Sequence, residues 1–320
     1  MFQAVDAHCD TLLKVRDDGF SFSDDGAAAV SAGSLRRGGV VLQFLAAYIG
    51  EAYKPYGSLR RTLELIEAYH RMVNGHRRFL FPLRWKEEMT QVGNRCGALL
   101  AIEGGEALAG SLALLDIFFR LGVRSIGLTW NQRNLLADGS WEEGSRGGLT
   151  RFGRQVVDRM EALGMVVDAA HIAPAGFWDL VALCRRPWLV SHTCCRSLQD
   201  HPRNIDDRQI AALAEKGGIM GITFYPEFLG ESRGDVEGVA DHIEQACQAG
   251  GGVEHVGIGS DFDGADRFAH GLEGACCLPR LWEALGRRGF LDDQIRAVAG
   301  GNLIRLLAQS LPERPGEIPE

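Results

Sequence analysis

No run of apolar residues in this chain of 320 approaches the ~18 needed to span a bilayer, so no membrane partner is expected. Basic residues are in deficit: 34 Lys and Arg stand against 42 Asp and Glu, a formal charge of −8. That balance offers no attraction to a phosphate backbone and argues against a nucleic-acid partner. The basic pairs Arg36-Arg37, Arg60-Arg61, Arg77-Arg78 and Arg287-Arg288 are short and isolated, and read as solvated helix faces. Cysteine occurs eight times, but without C-x-x-C spacing and below the density of a disulfide scaffold. Free thiols in a reducing cytoplasm are the expectation. The first residues lack the basic and apolar stretches of a secretion signal, and the closing "LPERPGEIPE" lacks the hydrophobic tail of a lipid-anchor signal. A cytoplasmic location follows as an expectation. No G-x-G-x-x-G or P-loop succeeds the first apolar run, which counts against an open nucleotide-binding sheet.

What the chain has is glycine, 41 residues of it, within a composition of 46% hydrophobic and 24% charged residues, typical of a globular α/β enzyme. Short β-branched runs alternate with stretches of helical periodicity from one end to the other. Strands are expected near Ala4–His8, Val40–Ala47, Ala98–Glu103, Ser125–Thr129, Met165–Ala170, Trp188–His192, Ile219–Phe224 and Val256–Ser260. Helices are expected over Ser58–Phe79, Leu108–Leu121, Arg151–Leu163, Ala175–Cys184, Asp207–Lys216 and Asp235–Ala249, with two more, Leu278–Arg288 and Asp292–Ala308, closing the chain. Eight βα units predict a single (β/α)8 barrel, the TIM-barrel fold, over residues 1–310, followed by a loose tail over 311–320; a doubly wound open sheet is the alternative. The longest loop, Leu136–Gly148, follows the fourth strand.

Near the start stands "VDAHCDTLL", with three metal-binding residue types side by side. Side chains two apart on a strand share a face, so His8 and Asp10 can serve one ion while Cys9 faces away. Other candidate ligands end other strands: Glu103 in "LLAIEGGEAL", His171 in "MVVDAAH", His192 in "WLVSH" and Asp261 in "VGIGSDFDG". In a barrel the C-terminal strand ends converge on one mouth, where such folds carry their sites. Imidazole and carboxylate ligands suit zinc, with manganese, cobalt or iron as substitutes. Three histidines and two carboxylates exceed the needs of one four-coordinate ion with an open position, but fit two ions bridged by a carboxylate. Such a pair, about 3.5–4 Å apart, activates a bridging water and polarises a carbonyl, which is hydrolytic chemistry.

With these residues in place, the chain resembles the renal, or membrane, dipeptidase family of binuclear zinc peptidases. The resemblance rests on "DAHCDTL", "AIEGGEAL", "GLTRFGRQVVDRMEALGMVVDAAH", "LVSHTCCRSLQDHPRNIDD", "GGIMGITF", "VGIGSDFDG" and "GGNLIRLL", in that order, over nearly the whole chain. It implies that His8 and Asp10 hold one zinc, that His171 and His192 hold the other, and that Glu103 bridges them in catalysis. Asp261 matches the acidic residue that handles protons and receives the substrate's amino end, and Arg203 in "HPRN" matches the arginine that grips the free carboxylate of a dipeptide. A guanidinium fork suits a carboxylate, since two parallel hydrogen bonds fix orientation as well as charge. One position departs from the animal enzymes. Trp130 in "GLTWNQRN" stands where they have a histidine that contacts substrate, so Trp130 either packs at the mouth or touches substrate, and Asn131 is a candidate donor beside it. The resemblance also implies tolerance of a D-residue at the second position and a homodimer. Hydrolysis of another amide or a lactam by the same metals is the alternative activity. A degenerate, non-catalytic relative is the alternative of another class.

Overall fold

The β-branched runs do form strands, and the parity of their side chains divides the interior in two. In the computed structural model, which describes residues 2–23, 26, 28–230 and 233–315, with the backbone alone at Glu143, nine strands are seen among the described residues. They are β1 (Ala4–Asp6), β2 (Val40–Tyr48), β3 (Leu80–Pro82), β4 (Cys96–Glu103), β5 (Val123–Gly127), β6 (Val166–Asp168), β7 (Leu189–Thr193), β8 (Ile219–Ile222) and β9 (Val256–Ile258). All pair in parallel, in the ring β1-β2-β4-β5-β6-β7-β8-β9, and β9 returns to β1. This is a closed eight-stranded TIM barrel. The ninth strand, β3, was not expected: it pairs with Cys96–Ala98 at the start of β4, below the point where β5 takes over from Leu100.

Val5, Leu42, Phe44, Leu99, Ala101, Val166, Leu189 and Ile219 form one apolar cluster inside the ring, whereas their neighbours Ala4, Leu45, Ala98, Leu100 and Val167 join the larger cluster beneath the helices. The helices are α1 (Thr11–Asp17), α2 (Ala32–Gly38), α3 (Ser58–Gly75), α4 (Leu112–Arg120), α5 (Arg151–Leu163), α6 (Pro174–Leu183), α7 (Asp207–Glu215), α8 (Pro226–Leu229), α9 (Val236–Gly250), α10 (Leu278–Arg287), α11 (Asp292–Arg296) and α12 (Asn302–Ser310). Local chemistry sets their ends. Thr150 accepts a hydrogen bond from Gly153 N at 3.0 Å at the head of α5, and Asp206 and Gln209 form a reciprocal capping box on α7. Leu303, Leu306 and Leu307 of α12 plug the bottom of the ring among the first residues of the strands. The opposite, C-terminal end is left open.

Three expectations shift. The helix expected to reach Phe79 stops at Gly75, which frees Leu80–Pro82 for β3; the helix expected over Asp292–Ala308 is broken by a π turn at Ala297–Gly301. Of the tail expected from residue 311, Leu311 is buried, Pro312 O accepts from Lys86 N at 2.9 Å, and Arg314 pairs with Glu88 at 2.7 Å. Residues 316–320 of that tail lie outside the described residues.

Candidate metal centre

Glu103 is the last residue of β4 and shares the inward parity of Leu99 and Ala101, so the strand that carries apolar side chains into the ring ends by presenting a carboxylate there. Its two oxygens face different partners: Oε2 lies 3.5 Å from His8 Nε2, while Oε1 lies 2.8 Å from His171 Nε2 and 3.4 Å from His192 Nε2. His8 Nε2 is also 3.4 Å from Asp10 Oδ2 and 3.8 Å from Asp261 Oδ1. All six candidates from the sequence therefore meet at the open end of the barrel, in three overlapping groups: His8, Asp10 and Glu103; Glu103, His171 and His192; His8, His192 and Asp261. Cys9 is apart from them, its Sγ 3.3 Å from Phe44 O. Strand alternation is not the whole reason, because β1 ends at Asp6 and Cys9 lies in an isolated bridge to Phe262 beyond it.

The donor set fits cations. Asp10 stands at the N-cap of α1 yet caps nothing, and its buried Oδ1, like His8 Nε2, has no hydrogen-bond partner. Asn131 Oδ1, an acceptor, is 2.7 Å from His171 Nδ1, which places the ring proton there and leaves Nε2 as a bare lone pair. That Nε2 lies 2.8 Å from His192 Nε2, whose Nδ1 is occupied by Ser191 Oγ at 2.9 Å. Outer nitrogens held by Asn131 and Ser191, and inner nitrogens turned toward one another and toward Glu103, is the arrangement of histidines that ligate metal. A Cβ added at Gly264 would collide with Asp10 Oδ2 and Asp261 Oδ1, so a side chain there would fill the cradle.

The same crowding perturbs protonation. Burial, with Glu103 beside it, pushes Asp10 up to about 6; burial, with Asp10 and Glu103, pushes Asp261 up to about 8 against the pull of His8 and Arg203. Burial and Arg203 push His171 down to about 3. Burial also opposes the charge on Glu103, but His8 and the hydrogen bonds of His171 and His192 prevail and hold it well below the usual carboxylate range. A bound cation supplies the positive charge that this cluster of carboxyls lacks.

Two buried aspartates fix the frame. Asp6 accepts from Ser260 N (2.8 Å), Ser260 Oγ (2.7 Å) and Gln43 Nε2 (2.8 Å), tying β1 to the segment that carries Asp261. Asp168 accepts from Ser191 N (2.9 Å) and Ala170 N (3.0 Å), tying the His171 segment to the strand of His192. His171 and Asp261 themselves adopt left-handed backbone, φ 69° and 65°, a conformation that non-glycine residues hold only when their surroundings enforce it.

Around the centre is a cavity of about 440 Å³. Arg203 lines it, buried, with Nη2 donating to His192 O at 3.0 Å, its guanidinium 5.4 Å from the Phe228 ring, and Nε without a partner. Trp130 and Asn131 both line it, but Asn131's side-chain oxygen is engaged by His171 and by Ser140 Oγ at 2.9 Å. The sequence reading missed Tyr48, Trp141, Tyr225 and Phe228 on the cavity wall. Tyr48 closes β2 and Tyr225 follows β8, so the strand-end criterion that found the ligands was the available signal.

Known proteins resemble this chain in sequence and in fold. The sequence pattern of the membrane dipeptidase family, peptidase family M19, matches residues 1–313. Dipeptidase aclJ of Aspergillus oryzae is 34% identical over 85% of this chain and 68% of its own length; Dipeptidase 3 of Rattus norvegicus is 31% identical over 99% of this chain and 68% of its own. The chain spans about two thirds of the length of the curated relatives it matches. Among solved structures, a metallopeptidase of family M19, dipeptidase AC, superposes with a TM-score of 0.88 at 25% identity, covering 97% of this chain and 99% of that one. A Rhodobacter sphaeroides metallopeptidase, liganded with a phosphinate mimic of the dipeptide L-Ala-D-Ala, shares the fold at TM-score 0.89 and 24% identity over 97% of this chain and 99% of its own. By sequence pattern, by identity and by fold, the chain belongs to the membrane dipeptidase family of metallopeptidases.

Proposed function

We propose that the protein is a dipeptidase that works with two metal ions, zinc in the first instance, one held by His8 and Asp10, the other by His171 and His192, with Glu103 between them. The observation that carries this reading is the divided carboxylate of Glu103, which turns one oxygen to His8 and the other to the His171–His192 pair. Metals bound there would polarise the peptide carbonyl and lower the pKa of water. Arg203, buried and with an unpartnered Nε, would receive the free carboxylate of the substrate. Asp261, 3.8 Å from His8 and on the cavity wall, would hold the substrate's amino end and pass a proton to the leaving amine. Because Asn131 holds His171 through its oxygen, it serves as a positioning residue, and a substrate contact falls to its amide nitrogen alone. No helix among the described residues is long and apolar enough to cross a membrane, and all eight cysteines are free, which fits a reducing compartment. A homodimer remains part of the proposal.

The test is hydrolysis of a panel of L,L and L,D dipeptides by zinc-loaded protein, with metal content measured alongside. Cleavage of members of either series with two zinc ions per chain is expected. Two ions and no cleavage of any dipeptide would end the peptidase reading and leave the metal reading standing.

A further inference from the structure

One wall of the cavity is aromatic and unusually well supported. Tyr48, Trp130 and Trp141 form a contiguous aromatic cluster on the wall, with ring centroids 5.5 Å apart and planes at 55° between Tyr48 and Trp130, and 5.4 Å apart and at 66° between Trp130 and Trp141. Trp130 is held from behind: Lys54 Nζ lies 4.9 Å from its ring and is itself fixed at 3.2 Å by both Glu106 Oε1 and Gln132 Oε1. The backbone of Trp141 is pinned by a 2.9 Å bond from its N–H to Asn131 O, the residue that orients His171. Even so, Trp141 is 60% exposed. A largely exposed indole in edge contact with a second indole at the wall of a cavity is a surface that gains from being covered by an apolar group.

Its position says which part of a ligand covers it. Tyr48 ends β2 and Trp130 follows β5, in the arc β2-β4-β5, whereas Arg203, Phe228 and Asp261 follow β7, β8 and β9 across the mouth. A dipeptide with its carboxylate at Arg203 and its amino group at Asp261 has both charged ends on the far arc, which leaves the side chain of its amino-terminal residue to cross the metal centre toward the aromatic face. The positive charge of Lys54 behind Trp130 disfavours a second cation on the front of that ring. We infer that Trp130 and Trp141 select dipeptides whose amino-terminal residue carries a large apolar, above all aromatic, side chain. The inference rests on the dipeptidase reading and makes Trp141 a specificity residue.

The experiment compares kcat/KM of the zinc-loaded enzyme for Phe-Ala, Lys-Ala and Ala-Ala in wild type, Trp141→Ala and Trp141→Phe. Wild type is expected to favour Phe-Ala over Ala-Ala by about tenfold or more, Trp141→Ala to lose most of that ratio through KM, and Trp141→Phe to restore it. Equal rates on Phe-Ala and Ala-Ala, or a preference for Lys-Ala, would overturn the inference and leave the dipeptidase reading intact. An unchanged ratio in Trp141→Ala with an altered sedimentation mass would overturn it too, assigning Trp141 to an interface between copies. Cleavage of none of these three nor of any member of the L,L and L,D panel defeats the dipeptidase reading instead; calorimetric binding of Phe-Ala and Ala-Ala phosphinate mimics then decides the aromatic face independently, equal affinities overturning it.

Discussion

His8 and Asp10 belong to the candidate metal centre while Cys9 between them turns to Phe44 O, and that division can be tested at single atoms. Cys9 Sγ accepts from Thr11 Oγ1 and lies against Phe44 O, both at 3.3 Å, so Cys9→Ser preserves the volume and the hydrogen-bonding partners. It should bind metal as the wild type does. Asp10→Asn removes charge from an oxygen 3.4 Å from His8 and should lower metal affinity by roughly 10-fold or more, with activity falling in step. Titration against a chromophoric chelator separates the two; a metal-free Cys9→Ser protein would show that the thiol belongs to the site. The ligands were legible in the sequence because each stands at or just past a strand end, and a barrel gathers such positions whatever its loops do. Asn131 was legible only as a candidate donor to substrate; its hold on His171, and Trp141 altogether, were not, since both depend on the path of the loop after β5, which folds back to put the Asn131 side-chain carbonyl on His171 and the Trp141 indole on Trp130. No periodicity encodes that path.

At the scale of elements, the seven-residue helices α1 and α2 and the three-residue β3 escaped the sequence reading, being too short for a period to declare itself. The π turn before α12 has a steric reason. Gly300 lies so close to β1 that a Cβ there would stand 2.9 Å from Gln3 O and 2.9 Å from Val5 Cγ2, and the widened turn lets the backbone approach that far. Further round the ring, His242 of α9 joins two loops: Cys195 N donates to its Nδ1 at 3.0 Å, and its Nε2 lies 3.2 Å from Leu229 O. The first bond requires an unprotonated Nδ1, and charging the ring breaks it; the second is a donation from Nε2–H that either form of the ring can make. Burial pushes its pKa down to about 4, against 6.5 for a free imidazole. The unfolded chain therefore takes up a proton at this site that the native one refuses. The resulting stability is complete above pH 6.5 and declines as the pH falls toward 4, by up to about 3 kcal/mol. Denaturant melts of wild type and His242→Gln between pH 7 and 4.5 should converge as acid is added, because the variant lacks this titration; parallel curves would refute the assignment. Using the difference between the two proteins cancels the protons taken up by the metal centre.

For the molecule as a whole, three imidazoles and three carboxyls are held at one end of the barrel at distances that only cations or extra protons reconcile. Metal that binds the folded chain alone stabilises it by about 2.7 kcal/mol per site when its free concentration is 100 times its dissociation constant. Zinc should therefore raise the melting temperature by a few degrees or more, and chelation should reverse the rise; a melting temperature indifferent to both would separate the centre from the fold. The bond between Asp6 and Ser260 has a consequence in time. It closes the barrel by joining β1 to the segment that follows β9, two stretches about 250 residues apart along the chain. Glu103, His171 and His192 all precede β9 in the chain, but His8 gains Asp261, and the bonds of its carbonyl with Ser260 Oγ and Asp261 N, only when translation has passed residue 260. A chain cut short before β9 would thus carry nearly every candidate ligand and no complete centre, so full metal affinity should appear only once β9 and Asp261 are present.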